Sequence, residues 1–313
     1  MKLRSDLPKN GKKEDTVKKG LKVQQTQIPE RSRDSISECA EDAIIHRIHN
    51  ATYRLFDLTD ASKGGSCVAV AFEDRILLAT AAHVLCERHR FGVPGKDGLS
   101  KCIEDFARIE KDDDTDVGLL ELDSGVVSRL STCYVDGFKS IGRIATNKPE
   151  FVWVTGYPGE FILRIAPNTY GCGAFTPTGV TVPLGELPDK LRHGIKRNED
   201  IVIEFDQDDR LKCILPQNAA NAKPVINRPP PDLHGVSGAG IWANTHKLGK
   251  RIWKPHPKLV GIQTGQKQEG KYICGCTIKC WLNLVAEVYP ELRSRFESIK
   301  KRRPVKTKFI SHF

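Results

Sequence analysis

Short apolar runs recur along the middle of this chain, each closed off within a few positions by glycine, proline or charged residues. Runs at 66–72, 75–79, 117–122, 151–155, 201–205, 240–242 and 259–263 have the length and the Val/Ile/Leu content of strands rather than helices. Many short strands separated by turns predict an all-β fold whose sheets are closed or nearly closed, since closure removes exposed edges. The pattern changes near the end, where Trp281, Val285, Val288, Leu292, Phe296 and Ile299 recur at steps of three or four and predict a helix over 281–303. Pro290 falls inside it and should kink it or start a second helix. Residues 1–38 are polar, Lys-rich and poor in aromatic groups, which predicts a disordered tail, and 304–313 form a second tail. The proline-rich stretch 156–231, with Arg228-Pro229-Pro230-Pro231 near its end, is expected to carry loops.

Length and composition fit this pattern. With 313 residues and 39% hydrophobic content, the chain can bury cores for two subdomains, one over 39–140 and one over 141–280. The formal charge of +10 is carried by the ends, because residues 1–38 hold ten Lys/Arg against six Asp/Glu and residues 291–313 hold eight against two. The body is neutral, so nucleic acid is not the expected partner, while the basic tails offer a surface to an acidic one. No apolar run follows a basic start as in a secretory signal, and no stretch is long enough to span a bilayer, so a cytoplasmic location is expected. The ten cysteines are then read as reduced thiols packed as small apolar groups. The spacing of Cys274, Cys276 and Cys280 fits no common zinc pattern, and neither a metal nor another cofactor is expected.

Three segments carry candidate chemistry. Leu233-His234-Gly235-Val236-Ser237-Gly238-Ala239-Gly240 places a serine among glycines just ahead of the apolar pair Ile241-Trp242. A tight turn there would present a hydroxyl together with the amides of Gly235 and Ser237, a pair able to bind an oxyanion. In Ile76-Leu77-Leu78-Ala79-Thr80-Ala81-Ala82-His83 an apolar run gives way to small residues and a histidine, a candidate base. Asp112-Asp113-Asp114-Thr115-Asp116 stands directly before the run Val117-Gly118-Leu119-Leu120, with Asp116 placed to hold an imidazole in one tautomer.

Thr80-Ala81-Ala82-His83, Asp116-Val117-Gly118-Leu119-Leu120 and Gly235-Val236-Ser237-Gly238-Ala239, in that order, resemble the signature segments of trypsin-like serine proteases. Leu259-Val260-Gly261-Ile262-Gln263-Thr264-Gly265 resembles the strand lining that family's substrate cleft, and the likeness extends over roughly 43–300. The resemblance implies two six-stranded antiparallel barrels and a C-terminal helix, with His83 and Asp116 on the first barrel and Ser237 on the second. It implies a serine endopeptidase acting on a polypeptide through an acyl-enzyme, with Gly235 and Ser237 as oxyanion hole. Thr264 matches the position whose hydroxyl supports the buried aspartate, and Thr264, Gly265 and Gln266 would pair with an extended substrate. Pro231 and Asp232 fall where the floor of the primary pocket is expected, Asp232 there favouring a basic side chain, and His234 is a further substrate-binding candidate.

Departures from the family pattern are informative. Val236 occupies the place of the acidic residue that receives the new N-terminus in digestive relatives, so no such activating cleavage is expected. Val84 stands where secreted members carry a cysteine, so their bridge does not carry over. These features resemble bacterial-type or intracellular peptidases, including the HtrA-like catalytic domain, without its PDZ domain. Two other classes stay open: a catalytically silent peptide-binding module on the same fold, and an esterase or α/β-hydrolase, whose histidine would follow the serine.

Overall fold

The computed structural model describes residues 43–58, 60, 63–85, 90–95, 98–129, 134–159, 162–166, 169–205, 233–244, 256–267 and 271–305. The N-terminal tail of 1–38, the last residues from 306 and the segment 206–232, which holds Arg228-Pro229-Pro230-Pro231 and Asp232, lie outside these. The chain enters as a helix, α1 (43–50), which the strand-and-turn pattern did not predict. Its Ile44, Ile45 and Ile48 are buried.

Eight strands follow: β1 (Thr52–Asp57), β2 (Gly64–Phe72), β3 (Arg75–Thr80), β4 (Phe91–Gly95), β5 (Gly98–Ile103), β6 (Phe106–Asp112), β7 (Val117–Leu122) and β8 (Val135–Asp136). They form one sheet in the order β5-β4-β1-β2-β3-β7-β6, with β8 added in parallel to β2. The short helix α2 (Gly137–Ser140) leads out of it, capped by the Asp136 carboxylate, which accepts from the amides of Phe138 and Lys139. Here the structure departs from the expected six-stranded barrel. Among the described residues β5 and β6 do not pair, and the sheet stays open at that seam. The sequence of β6 gives the reason, because its exposed Arg108, Glu110 and Lys111 guard the edge with charge instead of a partner strand.

The C-terminal half is the closed six-stranded barrel. It comprises β9 (Phe151–Thr155), β12 (Thr178–Thr181), β13 (Asp200–Glu204), β14 (Gly240–Asn244), β15 (Pro257–Lys267) and β16 (Tyr272–Thr277), in the cyclic order β12-β13-β16-β15-β14-β9. A hairpin of β10 (Ile162–Ala166) and β11 (Thr169–Cys172) stands apart from it, and the single helical turn α3 (Asp189–Arg192) lies between β12 and β13. All the barrel's pairings are antiparallel, which removes the α/β-hydrolase reading, since that fold needs a parallel sheet wound with helices.

Strand alternation sorts residues into separate cores. On β2, Cys67 and Ala69 point into the N-terminal sheet's interior with Tyr53, Leu55, Leu78 and Leu120, while Val68, Val70 and Phe72 point the other way. In the barrel, Val154, Ile241 and Val260 fill the interior and their neighbours Trp153, Trp242 and Leu259 face outward. The two outward sets meet in one core with α1 and the C-terminal helices α4 (Ile278–Val288) and α5 (Arg293–Lys300). Between α4 and α5 the chain breaks at Pro290 into a single 3-10 turn. Trp281, Phe296 and Ile299 are fully or almost fully buried there, each worth about 2 kcal/mol or more in apolar area removed from water. No helix among the described residues is long and apolar enough to cross a membrane.

Candidate active site

His83 sits on a 3-10 turn (Ala82–Val84) that follows β3 directly. Asp116 ends the acidic turn before β7 and takes φ of 52°, a left-handed conformation that a short polar side chain tolerates better than most. Asp112 shapes that turn by accepting from the Asp114 amide and the Thr115 hydroxyl. The result brings two distant residues into contact. His83 Nδ1 lies 2.8 Å from Asp116 Oδ2 and 3.0 Å from Oδ1, and the His83 backbone N–H donates to Oδ1 at 3.0 Å. With the carboxylate ionised, Nδ1 carries the proton and Nε2 is left with a lone pair. The hydrogen bond to Asp116 raises the His83 pKa above 6.5, against a lowering by partial burial.

Ser237 lies on the turn that enters β14, half-buried, between glycines with φ of +89° at 235 and 238. The carbonyls of this turn are all held. His234 O accepts from Gly159 N at 2.7 Å, Gly235 O from Ser66 Oγ at 2.9 Å and Arg54 Nη1 at 3.1 Å, and Val236 O from Ala239 N at 2.8 Å. Because C=O and N–H point oppositely in a trans peptide, the amides of Gly235 and Ser237 are aimed away from these partners. Neither amide donates to any described residue. Two N–H groups without a partner among the described residues, on a glycine-bounded turn, are suited to an anionic oxygen.

The serine turn packs on the segment that carries the histidine. Ser66 N donates to Ser237 O at 2.7 Å, and a Cβ on Gly65 would meet Ser237 O and Val84 Cγ2, each at 2.7 Å. Gly65 is therefore the spacer that lets the serine turn approach the residue next to His83. Ser237 Oγ and His83 Nε2 make no hydrogen bond to each other or to another described residue.

The other expected site residues are placed as follows. Thr264, Gly265 and Gln266 lie on β15, beyond the point where β14 stops pairing with it at Ile262. Register slips between Gln263 and Gly265, so Thr264 is the bulged residue. Its hydroxyl is not among the partners of Asp116, whose side chain keeps 34% of its surface exposed, so the expected buried aspartate supported by Thr264 is not what this structure has. His234 is exposed, and Asp232 is outside the described residues. Cys67, Cys274, Cys276 and Cys280 are free thiols.

Sequence reasoning gave no role at the site to Arg54, Ser66 or Trp281. Trp281 Nε1 donates to Gly118 O at 3.1 Å, so α4 pins the strand that begins one residue after Asp116.

No family model matches this chain, and no curated protein does. Among solved structures it is similar to the serine protease domain of the Sesbania mosaic virus polyprotein, at 13% identity and a TM-score of 0.37, over 72% of this chain and 88% of that one. It is also similar to a structure reported for coupled folding and binding of the intrinsically disordered Sesbania mosaic virus VPg protein, at 15% identity and a TM-score of 0.38, over 72% of this chain and 85% of that one. Likeness at this level transfers nothing of either protein's chemistry to this chain.

Proposed function

We propose that this protein is a serine endopeptidase of trypsin-like plan, hydrolysing peptide bonds through Ser237, His83 and Asp116. The observation that carries this reading is the Asp116–His83 contact through Nδ1, which leaves Nε2 free on a turn packed against the serine loop. His83 takes the proton of Ser237 as Oγ attacks the substrate carbonyl. The developing oxyanion is bound by the Gly235 and Ser237 amides, and His83 then returns the proton to the leaving amine, giving the acyl-enzyme. Water activated by His83 releases the acyl group. Asp116 stays ionised throughout and fixes the tautomer. The open Ser237–His83 link is compatible with this, because such hydrogen bonds are often long in free sites and tighten around substrate.

An extended polypeptide adds to β15 at Thr264–Gln266, beyond Ile262, where the ladder with β14 ends. The buried Val236 sits among apolar residues, a setting that offers no carboxylate to a newly cut N-terminus. Activity therefore needs no activating cleavage, in keeping with the bacterial-type, HtrA-like resemblance. The open link is also what a silent peptide-binding module would show, and turnover separates the two. The uncut full-length chain should degrade an unfolded protein such as casein, and Ser237→Ala should lower that rate by ~10⁴-fold or more. Casein binding without cleavage would leave the silent module.

A further inference from the structure

The oxyanion turn is gripped from the other sheet. Arg54 on β1 and Ser66 on β2 are directly opposite each other in the antiparallel ladder, and both are fully buried. Ser66 Oγ donates to Gly235 O at 2.9 Å and accepts from Tyr157 N at 2.8 Å. Arg54 Nη1 donates to Gly235 O at 3.1 Å and Tyr157 O at 2.7 Å, and Nη2 donates to Lys63 O at 3.1 Å. The cross-strand pair thus holds the Gly235 carbonyl and both backbone polar groups of Tyr157. Two residues beyond Tyr157, Gly159 N holds His234 O, which aims the Gly235 amide.

Burying a guanidinium costs free energy unless its donors are met, and it stays charged at any working pH. A side chain placed so expensively, with Nη1 donating to the carbonyls of Gly235 and Tyr157 and Nη2 to that of Lys63, does more than fill space. The Gly235–Val236 peptide lies between the two peptides that carry the oxyanion amides. Fixing its carbonyl fixes the plane from which both amides diverge. The approach is close enough that a Cβ on Gly235 would lie 2.4 Å from Arg54 Nη1, so only glycine admits the arginine.

We infer that Arg54 and Ser66 are positioning residues that hold the oxyanion turn in its working shape through the Gly235 carbonyl. The inference rests on the serine hydrolase reading for its effect on rate. The clamp itself is testable without it.

The test uses the full-length chain and its Ser66→Ala and Arg54→Lys variants, of which Ser66→Ala removes one oxygen and leaves the strand otherwise intact. Fluorophosphonate labelling rates are followed against pH, with the His83 titration and the Gly235 carbonyl ¹³C shift read by NMR. In Ser66→Ala the rate plateau should fall ~10-fold, less than the 10²- to 10³-fold of losing an oxyanion donor outright. The midpoint set by His83 should not move, and the Gly235 carbonyl resonance should shift upfield. Arg54→Lys replaces a fork by a single point of charge and should lower the plateau further. Plateaus within twofold of wild type in both variants, or a loss matched by a moved His83 midpoint, would overturn the inference. If wild type itself takes no label, the hydrolase reading fails. The Gly235 carbonyl then decides the clamp alone, and an unmoved resonance in Ser66→Ala overturns it.

Discussion

At Asp116 one residue meets two demands. Its backbone takes the left-handed conformation that closes the acidic turn, and its carboxylate receives both the ring and the amide of His83. Asp116→Asn keeps the turn, since asparagine tolerates the same backbone, but removes the charge and favours the wrong imidazole tautomer. The substitution should therefore lower peptidase turnover by ~10⁴-fold while the protein stays folded. Its acid limb should also move. His83 has its pKa raised by Asp116, so on the proposed mechanism wild-type activity should rise with pH through a midpoint above 6.5, and the variant's residual activity at a lower pH. For stability the sign is opposite: the His83–Asp116 contact contributes fully below 6.5 and fades as pH rises through the raised value. A pH–rate profile of both proteins checks the shift.

The glycines of the serine turn were legible as a motif, but the reason for each was not. Gly238 has φ of +89°, and a Cβ there would lie 2.0 Å from Ser66 O and 2.3 Å from Thr80 Oγ1. Gly265 meets nothing within 4 Å and has no unusual φ. Gly238→Ala should cost about 3 kcal/mol from combined backbone strain and overpacking, whereas Gly265→Ala should be near neutral. Equal denaturation midpoints for the two variants would contradict this. Only the structure shows that Gly65 and Gly238 are spacers between two sheets, because a spacer is defined by a partner distant in sequence.

Among the elements, the strands that present the site could be read from apolar runs bounded by turns, and the C-terminal helix from its spacing of three and four. What escaped was set by contacts outside each segment. α1 is one short stretch whose Ile44 and Ile48 face the core shared with α4 and α5, too brief for periodicity to declare itself. The charged edge strand β6 has no apolar run to mark it, and only its ladder with β7 shows it as a strand. The end of α4 is tied down by Tyr289, whose hydroxyl donates to Glu121 Oε2 at 2.6 Å while Arg75 donates to Oε1 at 2.7 Å. Near its start, Trp281→Phe should remove the indole donor to Gly118 O and cost about 1 kcal/mol, measured by chemical denaturation.

α1 also carries a titrating group. His49 is largely buried near the Tyr157 hydroxyl, 3.4 Å from Nε2, and burial, with His46 nearby, lowers its pKa to about 4. The unfolded chain then binds a proton between about 6.5 and 4 that the folded chain refuses. Stability should be complete above 6.5 and fall as pH drops toward 4. Thermal unfolding across this range should show a smaller acid loss in His49→Gln than in wild type.

At the scale of the whole molecule, the site is built where an open sheet and a closed barrel share one apolar core and a buried polar seam. His83 and Asp116 come from the first, Ser237 from the second, and Gly65, Ser66 and Gly238 set how closely they approach. The three motifs could be picked out because their residue types and order are local facts of sequence. The seam stayed hidden because Arg54 and Ser66 look like ordinary strand residues until their partners at 157 and 235 are placed beside them. The most direct measurement is the mass-spectrometric location of a fluorophosphonate adduct on the full-length chain, beside Ser237→Ala and His83→Ala. An adduct on Ser237 that is lost in the first variant and strongly slowed in the second is the expected result. A folded wild-type chain that takes no label, or one labelled elsewhere, would contradict an assembled Ser237 nucleophile.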